Sequence, residues 1–159
     1  MVAPVIVLGL RGAQALFSII VLGLTAYLVD AYNGPYGYNW SPDSVNFMLF
    51  CSIWTLLVVA YLFLAPRFFP AAAHKYAVAA VEFITMIFWF AAFIAVAVRW
   101  HDAYWGYAGH NTFYGCGVAA IVFSAFLWLT FVATTVLAAL HLRGTSHHDT
   151  APAPNMSGV

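Results

Sequence analysis

Residues 75–99 read KYAVAAVEFITMIFWFAAFIAVAVR, and between Lys75 and Arg99 the only charged side chain is Glu82. A helix needs about 20 mainly apolar residues to cross the roughly 30 Å hydrocarbon core of a bilayer. This stretch meets that requirement, and three others do as well. We place the spans at residues 5–31, 44–65, 75–98 and 117–142. The prolines, Pro4, Pro35, Pro42, Pro66, Pro70, Pro152 and Pro154, all fall outside these spans. A proline in a helix interior removes a hydrogen bond and clashes with the preceding turn, so its position marks a boundary. Barrel strands require alternating segments of about ten residues, and the chain has none. The fold class expected is an all-α membrane protein, an antiparallel four-helix transmembrane bundle.

Composition supports the same conclusion. The chain has 159 residues, 65% of them hydrophobic and only 6% charged, with formal net charge zero. Soluble domains carry about 25% charged residues, so a water-soluble monomer is excluded. Five Lys and Arg residues spread along the chain cannot form a phosphate-tracking stripe, which argues against nucleic acid as a partner. The first apolar run is too long for a cleavable signal, and Arg11 interrupts its start, so it is expected to be an uncleaved anchor. Residues 143–159 are rich in Gly, Ser, Thr, Pro and Ala and are expected to form a disordered tail. In it, Thr145, Ser146 and Thr150 are candidate phosphate acceptors. Arg11, Arg67, Lys75 and Arg143 lie at one end of the spans and only Arg99 at the other. The positive-inside rule then puts both termini in the cytoplasm. At the opposite end Tyr36, Tyr38, Trp40, Trp100, Tyr104 and Trp105 are expected to form an aromatic cap on the headgroups.

Arg11 and Glu82 are the charges inside spans. Each lies about seven residues past its helix start, or about 10 Å deep at 1.5 Å per residue. A charge at the bilayer centre costs at least about 2.5 kcal/mol, so such groups face the bundle or find a partner. We expect an interhelical ion pair joining spans one and three. The alternative is that Arg11 snorkels to the headgroups while a protonated Glu82 meets a hydroxyl. Gln14, Ser18 and Thr25 on span one follow near-heptad spacing, as do Thr85 and Trp89 on span three. With Ser52, Thr55 and Thr134 they are expected to form an inward polar stripe, because polar groups in lipid are best satisfied against other helices. The small residues Gly9, Ala13, Ala91, Ala95 and Gly117 suit close packing within the chain, or alternatively a seam between copies.

No catalytic signature is present, and the chain is not expected to be an enzyme. Cys51 and Cys116 lie at different depths, so free thiols are favoured over a disulfide. There is no CxxC for thiol exchange. No histidine sits mid-span, where a bundle haem would need one. His101, Asp102 and His110 match no strong metal pattern, and neither do His147, His148 and Asp149. The glycines of span one follow no strand and cradle no phosphate. Asn39-Trp40-Ser41 matches a glycosylation acceptor, but it abuts Pro42 and the membrane and is expected to stay unmodified. No metal or cofactor is expected.

With these features in place, the chain resembles the MARVEL-domain proteins, particularly their small fungal members. Arg11-Gly-Ala-Gln14-Ala-Leu-Phe17 running into IVLGLTAYLV is similar to the family's first helix. Val45-Asn46-Phe47, Leu49-Phe50 and Trp54-Thr55 resemble its second. His74-Lys75 through Glu82 to Phe88-Trp89-Phe90-Ala91 resembles its third, and Cys116 with AIVFSAFLWLTF its fourth. The likeness covers roughly residues 5–142. The paired-cysteine outer loop of larger relatives is absent. So are the outer tryptophan–cysteine signature of claudins, which share the architecture, and the Cys-Cys-Gly of tetraspanins.

The resemblance implies a non-enzymatic protein that organises membrane domains or vesicle trafficking, in the plasma membrane or secretory vesicles. It implies contact with membrane lipids, a bound lipid or sterol, and lateral association with copies of itself or another membrane protein. The rival readings are a small transporter or proton channel using Glu82, and an accessory subunit of a larger membrane complex.

Overall fold

A computed structural model describes residues 4–34, 41–68, 75–104 and 111–148. Four helices account for nearly all of them: α1 (Pro4–Asn33), α2 (Asp43–Phe68), α3 (Lys75–Tyr104) and α4 (Thr112–His148). Each holds a segment long and apolar enough to cross a membrane: Val5–Asn33, Asp43–Leu64, Tyr76–Ala103 and Thr112–Leu140.

Local chemistry explains where the helices start and stop. Pro4 opens α1, where a missing N–H costs nothing because the first N–H groups of a helix have no intrahelical partner. Gly34 closes the helix in the left-handed region, with φ at 50°, and its N–H bonds the Asp30 carbonyl at 3.2 Å. This is the conformation that glycine adopts most readily. Asp43 places a negative charge in the first turn of α2, where it complements the helix dipole. Asn111 caps α4, its Oδ1 accepting the Tyr114 N–H at 2.8 Å.

Four boundaries differ from those expected. α3 continues through Arg99, Trp100, His101 and Asp102 to Tyr104. α4 begins at Thr112 and runs on to His148, so the first part of the expected tail is helical. α2 carries Pro66 in its last turn. For α3 and α4 the physical reason is the same. A charged residue marks the edge of the hydrocarbon, whereas a helix ends only where a cap or a breaker stops it. α3 meets neither before Tyr104, and Asn111 is a cap six residues ahead of Gly117.

The helices form a square in which neighbours in sequence are neighbours in space and α4 closes against α1. α1 and α3 stand on one diagonal, α2 and α4 on the other. All contacts run antiparallel. Tyr32 meets Phe113 near one end and Phe17 meets Phe123 further along the α1–α4 seam. Phe47 and Trp54 both pack on Phe88 between α2 and α3. The N-terminus of α1 and the C-terminus of α4 therefore share one end of the bundle. Along α1 the buried positions are Gln14, Ser18, Val21, Thr25 and Leu28, and along α4 they are Gly117, Ala120, Ser124, Leu127, Phe131 and Thr134. Steps of three and four alternate, which is the 3.5-residue period of helices packed side by side. Bulky apolar side chains such as Leu16, Leu57, Phe83, Phe90 and Leu129 face outward. In a soluble protein this surface would aggregate; here it meets lipid tails.

Candidate functional site

Among the described residues nine polar or charged ones are buried: Gln14, Ser18, Thr25, Ser52, Thr55, Glu82, Thr85, Ser124 and Thr134. No water is available in hydrocarbon, so each must find a partner within the bundle. Near the end that carries the termini, Arg11 on α1 pairs with Glu82 on α3 through Nη2 and Oε1. The pair bridges the diagonal between two helices whose backbones do not otherwise approach each other. Arg11 Nη1 also donates to Gln14 Oε1 at 3.0 Å. Gln14 Nε2 in turn donates to Thr134 Oγ1 on α4 at 3.3 Å. Three helices thus meet in one polar layer. Glu82 is 2% exposed and Arg11 13%. Oε2 of Glu82 is buried with no hydrogen-bond partner among the described residues.

Further along the bundle the bonds are single. Ser18 Oγ donates to the Ser52 carbonyl on α2 at 2.8 Å. Trp89 Nε1 donates to Thr55 Oγ1 at 2.8 Å, and Trp54 Nε1 to Thr85 Oγ1 at 3.1 Å. These two bonds tie α2 to α3 from both sides. Thr25, Thr55 and Thr85 hydroxyls donate back to the carbonyls of Val21, Cys51 and Val81. Ser124 bridges the second diagonal to Met48 Sδ at 3.3 Å. Trp89→Phe keeps the ring and loses the indole N–H. Interhelical bonds in membranes average about 0.6 kcal/mol, with a maximum near 1.7. We expect a loss of about 1 kcal/mol in detergent unfolding, with the fold retained.

The structure thus brings Arg11, Glu82, Gln14 and Thr134 together and places Ser18 and Thr85 in separate layers. Two participants were not picked out from the sequence, Ser124 and the indole of Trp54. Ser124 lies seven residues from Gly117 and ten from Thr134, so extending the heptad of α4 finds it. Nothing in the sequence marks Trp54 as a donor.

At the other end, Trp100 departs from the expected cap. It is 4% exposed, turned inward rather than toward headgroups, and stacked on Phe113 with ring centroids 5.5 Å apart. Because α3 stays helical past Arg99, residue 100 keeps the register of Ala92 and Val96, which face the core. Its indole fills the space where a Cβ on residue 117 would stand. Tyr36, Tyr38, Trp40 and Trp105 lie outside the described residues, and of Tyr104 only the backbone is described.

The small residues divide in the same way. Gly117 is a packing glycine, while Gly9, Ala91 and Ala95 face outward, and Gly9 has nothing near its missing Cβ. Cys51 is buried, Cys116 is half-buried, and both are free thiols. His101 meets Asp102 at 3.4 Å on the exposed end of α3. His110 lies outside the described residues. Among the described residues no three His, Cys, Asp or Glu side chains gather as a metal site.

A family model described as MARVEL, a membrane-associating domain, matches residues 4–137, which takes in α1, α2, α3 and most of α4. Comparison with curated proteins and with solved structures gives no match.

Proposed function

The chain belongs to the MARVEL family of membrane-associating domains, and from that premise we propose that it organises membranes without catalysing a reaction. It is an integral, multi-pass membrane protein in contact with lipid. The observation that carries the proposal is the outer surface. Large apolar side chains stand exposed on all four helices, while most of the buried polar groups bond inside, to one another or to backbone carbonyls. Among the described residues the surface available for recognition is therefore lipid-facing. Function then lies in which lipids gather around the bundle and which helices associate with it laterally. Gly9, Gly12 and Gly23 lie on the outer face of α1 and Ala91 and Ala95 on that of α3, and small residues allow another helix to approach closely. Assembly into homo-oligomers or with a membrane-protein partner, and residence in the plasma membrane or secretory vesicles with cytoplasmic termini, complete the reading. A bound lipid or sterol belongs to the same reading, and the aromatic surface of Phe50, Trp54 and Phe88 between α2 and α3 offers it a contact.

The test is a tagged copy imaged in its native cell beside sterol-rich membrane markers, together with the protein reconstituted in phase-separating vesicles. Enrichment in one lipid phase and energy transfer between labelled copies are expected. Glu82-dependent ion or proton flux into liposomes would overturn the proposal in favour of a transporter. A foreign subunit recovered in fixed stoichiometry from mild detergent would favour an accessory role.

A further inference from the structure

We propose that the bundle selects its lipids by chain length. Its apolar belt fits a bilayer whose hydrocarbon core is about 33 Å thick, against an average of about 30 Å, and so takes phospholipids with long acyl chains. The inference deepens the membrane-organising reading and rests on its lipid contact. The belt is measured between charges. On α2 the apolar segment Asp43–Leu64 has 22 residues, or about 33 Å at 1.5 Å per residue. α3 runs from Tyr76 to Val98, between Lys75 and Arg99, which is about 34 Å. The one charge on its way, Glu82, is buried against Arg11. α1 runs from Val5 to Val29, ahead of Asp30, and α4 from Thr112 to Leu140, and these are longer, at about 37 and 43 Å. Large exposed apolar side chains extend from Tyr76 to Val98 on α3 and from Val118 to Leu140 on α4, so acyl chains meet the belt over its length.

A single helix accommodates a thin bilayer by tilting. This bundle lacks that freedom, because its helices are joined at successive depths. Arg11 meets Glu82 and Gln14 meets Thr134 near one end. Ser18 bonds α2 and Trp89 bonds Thr55 further along. Phe113 packs on Tyr32 and Trp100 at the other end. The four helices therefore tilt as one body. Helices crossing at about 20° each lean about 10° from the bundle axis, which shortens the belt by only about 2%. Fitting a core of about 27 Å, such as that of the endoplasmic reticulum, would take a rigid tilt of about 35°. Axes about 10 Å apart would then be offset by about 6 Å along the membrane normal. That offset would carry end charges such as Asp30 or Lys75 into hydrocarbon, where a charge is costly. The response left is the lipid's own. Short chains must stretch to cover the bundle, whereas long chains meet it unstrained, so long-chain lipids gather at its surface.

The experiment uses the full chain in sterol-free vesicles of monounsaturated phosphatidylcholines with chains of about 14, 18 and 22 carbons, which bracket the average bilayer thickness. Brominated lipid of one chain length is mixed with unbrominated lipid of another. The bromines quench tryptophans beside the lipid that binds, among them the half-buried Trp54 and Trp128. The 22-carbon lipid should be favoured over the 18-carbon lipid by about twofold or more, and over the 14-carbon lipid by a wider margin. Tyr27→Asp, Ala95→Asp and Val118→Asp together put charges at exposed positions about one turn inside the end marked by Asp30 and Arg99. They shorten the belt by about 5 Å and should move the preference to the 18-carbon lipid. Equal quenching by the three lipids, or a preference of the unsubstituted chain for 18 carbons or fewer, overturns the proposal. An unmoved preference in the folded triple variant does so as well, and if that variant fails to fold, the unsubstituted chain decides alone. Enrichment beside sterol without a chain-length preference would defeat this inference and leave the membrane-organising reading standing. Glu82-dependent flux with the preference intact would do the reverse.

Discussion

Arg11→Leu should abolish stable folding or delivery to the membrane surface. The substitution removes the cation beside Glu82 and leaves a carboxylate that is 2% exposed with neither oxygen paired. Breaking a buried ion pair by removing one partner costs about 3–5 kcal/mol, which is comparable to much of the stability of a small domain. The effect reaches past the pair, because Arg11 also donates to Gln14, and Gln14 anchors Thr134 on α4. The decisive companion is R11L/E82L. Two apolar residues of similar volume replace a buried pair at little cost or with a gain, so the double variant should regain expression and most of the thermal midpoint in detergent. The measurements are surface yield and unfolding temperature for the single and double variants. Normal yield and midpoint for Arg11→Leu alone would show that the pair is not structural.

Gly117→Leu should produce the second large effect, by a different mechanism. The Trp100 ring occupies the volume of the new side chain from its first carbon onward. Trp100 is held from the other side by Phe113, which itself packs edge-on to Tyr32 of α1. The ring cannot shift without opening the end of the bundle remote from the termini. Overpacking of this kind costs about 1–3 kcal/mol, and more where neighbours are fixed. We expect a lower thermal midpoint together with a red shift of Trp100 emission as the indole is expelled. Trp100→Ala in the same background should recover part of the loss by vacating the space. An unshifted midpoint in Gly117→Leu would contradict the packing described.

The pairing of Arg11 with Glu82 was legible because both constraints are one-dimensional. Each residue is the lone charge in an apolar run, and the distances from the two helix starts agree, so depth alone aligns them. Gln14, Ser18, Thr85 and Thr134 were legible as inward-facing for a similar reason, since a polar group in hydrocarbon has few other places to point. Which of them would bond was not legible. Gln14 reaches Thr134 and not Glu82, and Ser18 reaches a backbone carbonyl of α2. Those outcomes depend on the rotation of each helix about its axis, which spacing constrains only to a face. Trp100 was misplaced because aromatic residues near a span end belong equally well to the headgroups or the core. The choice between them turned on whether α3 continued.

What the residues alone determined is the number of crossings, the antiparallel order and the depth of each buried charge. Hydrocarbon thickness and the cost of unsatisfied polar groups act along the chain axis, and sequence position reads that axis directly. What only the tertiary structure decided lies across it. The square arrangement puts α1 and α3 on a diagonal, so that one ion pair spans the bundle, and the missing Cβ at Gly117 admits the Trp100 indole. Lateral placement follows from how side-chain volumes fit together once all four helices are present, and no single helix carries that information.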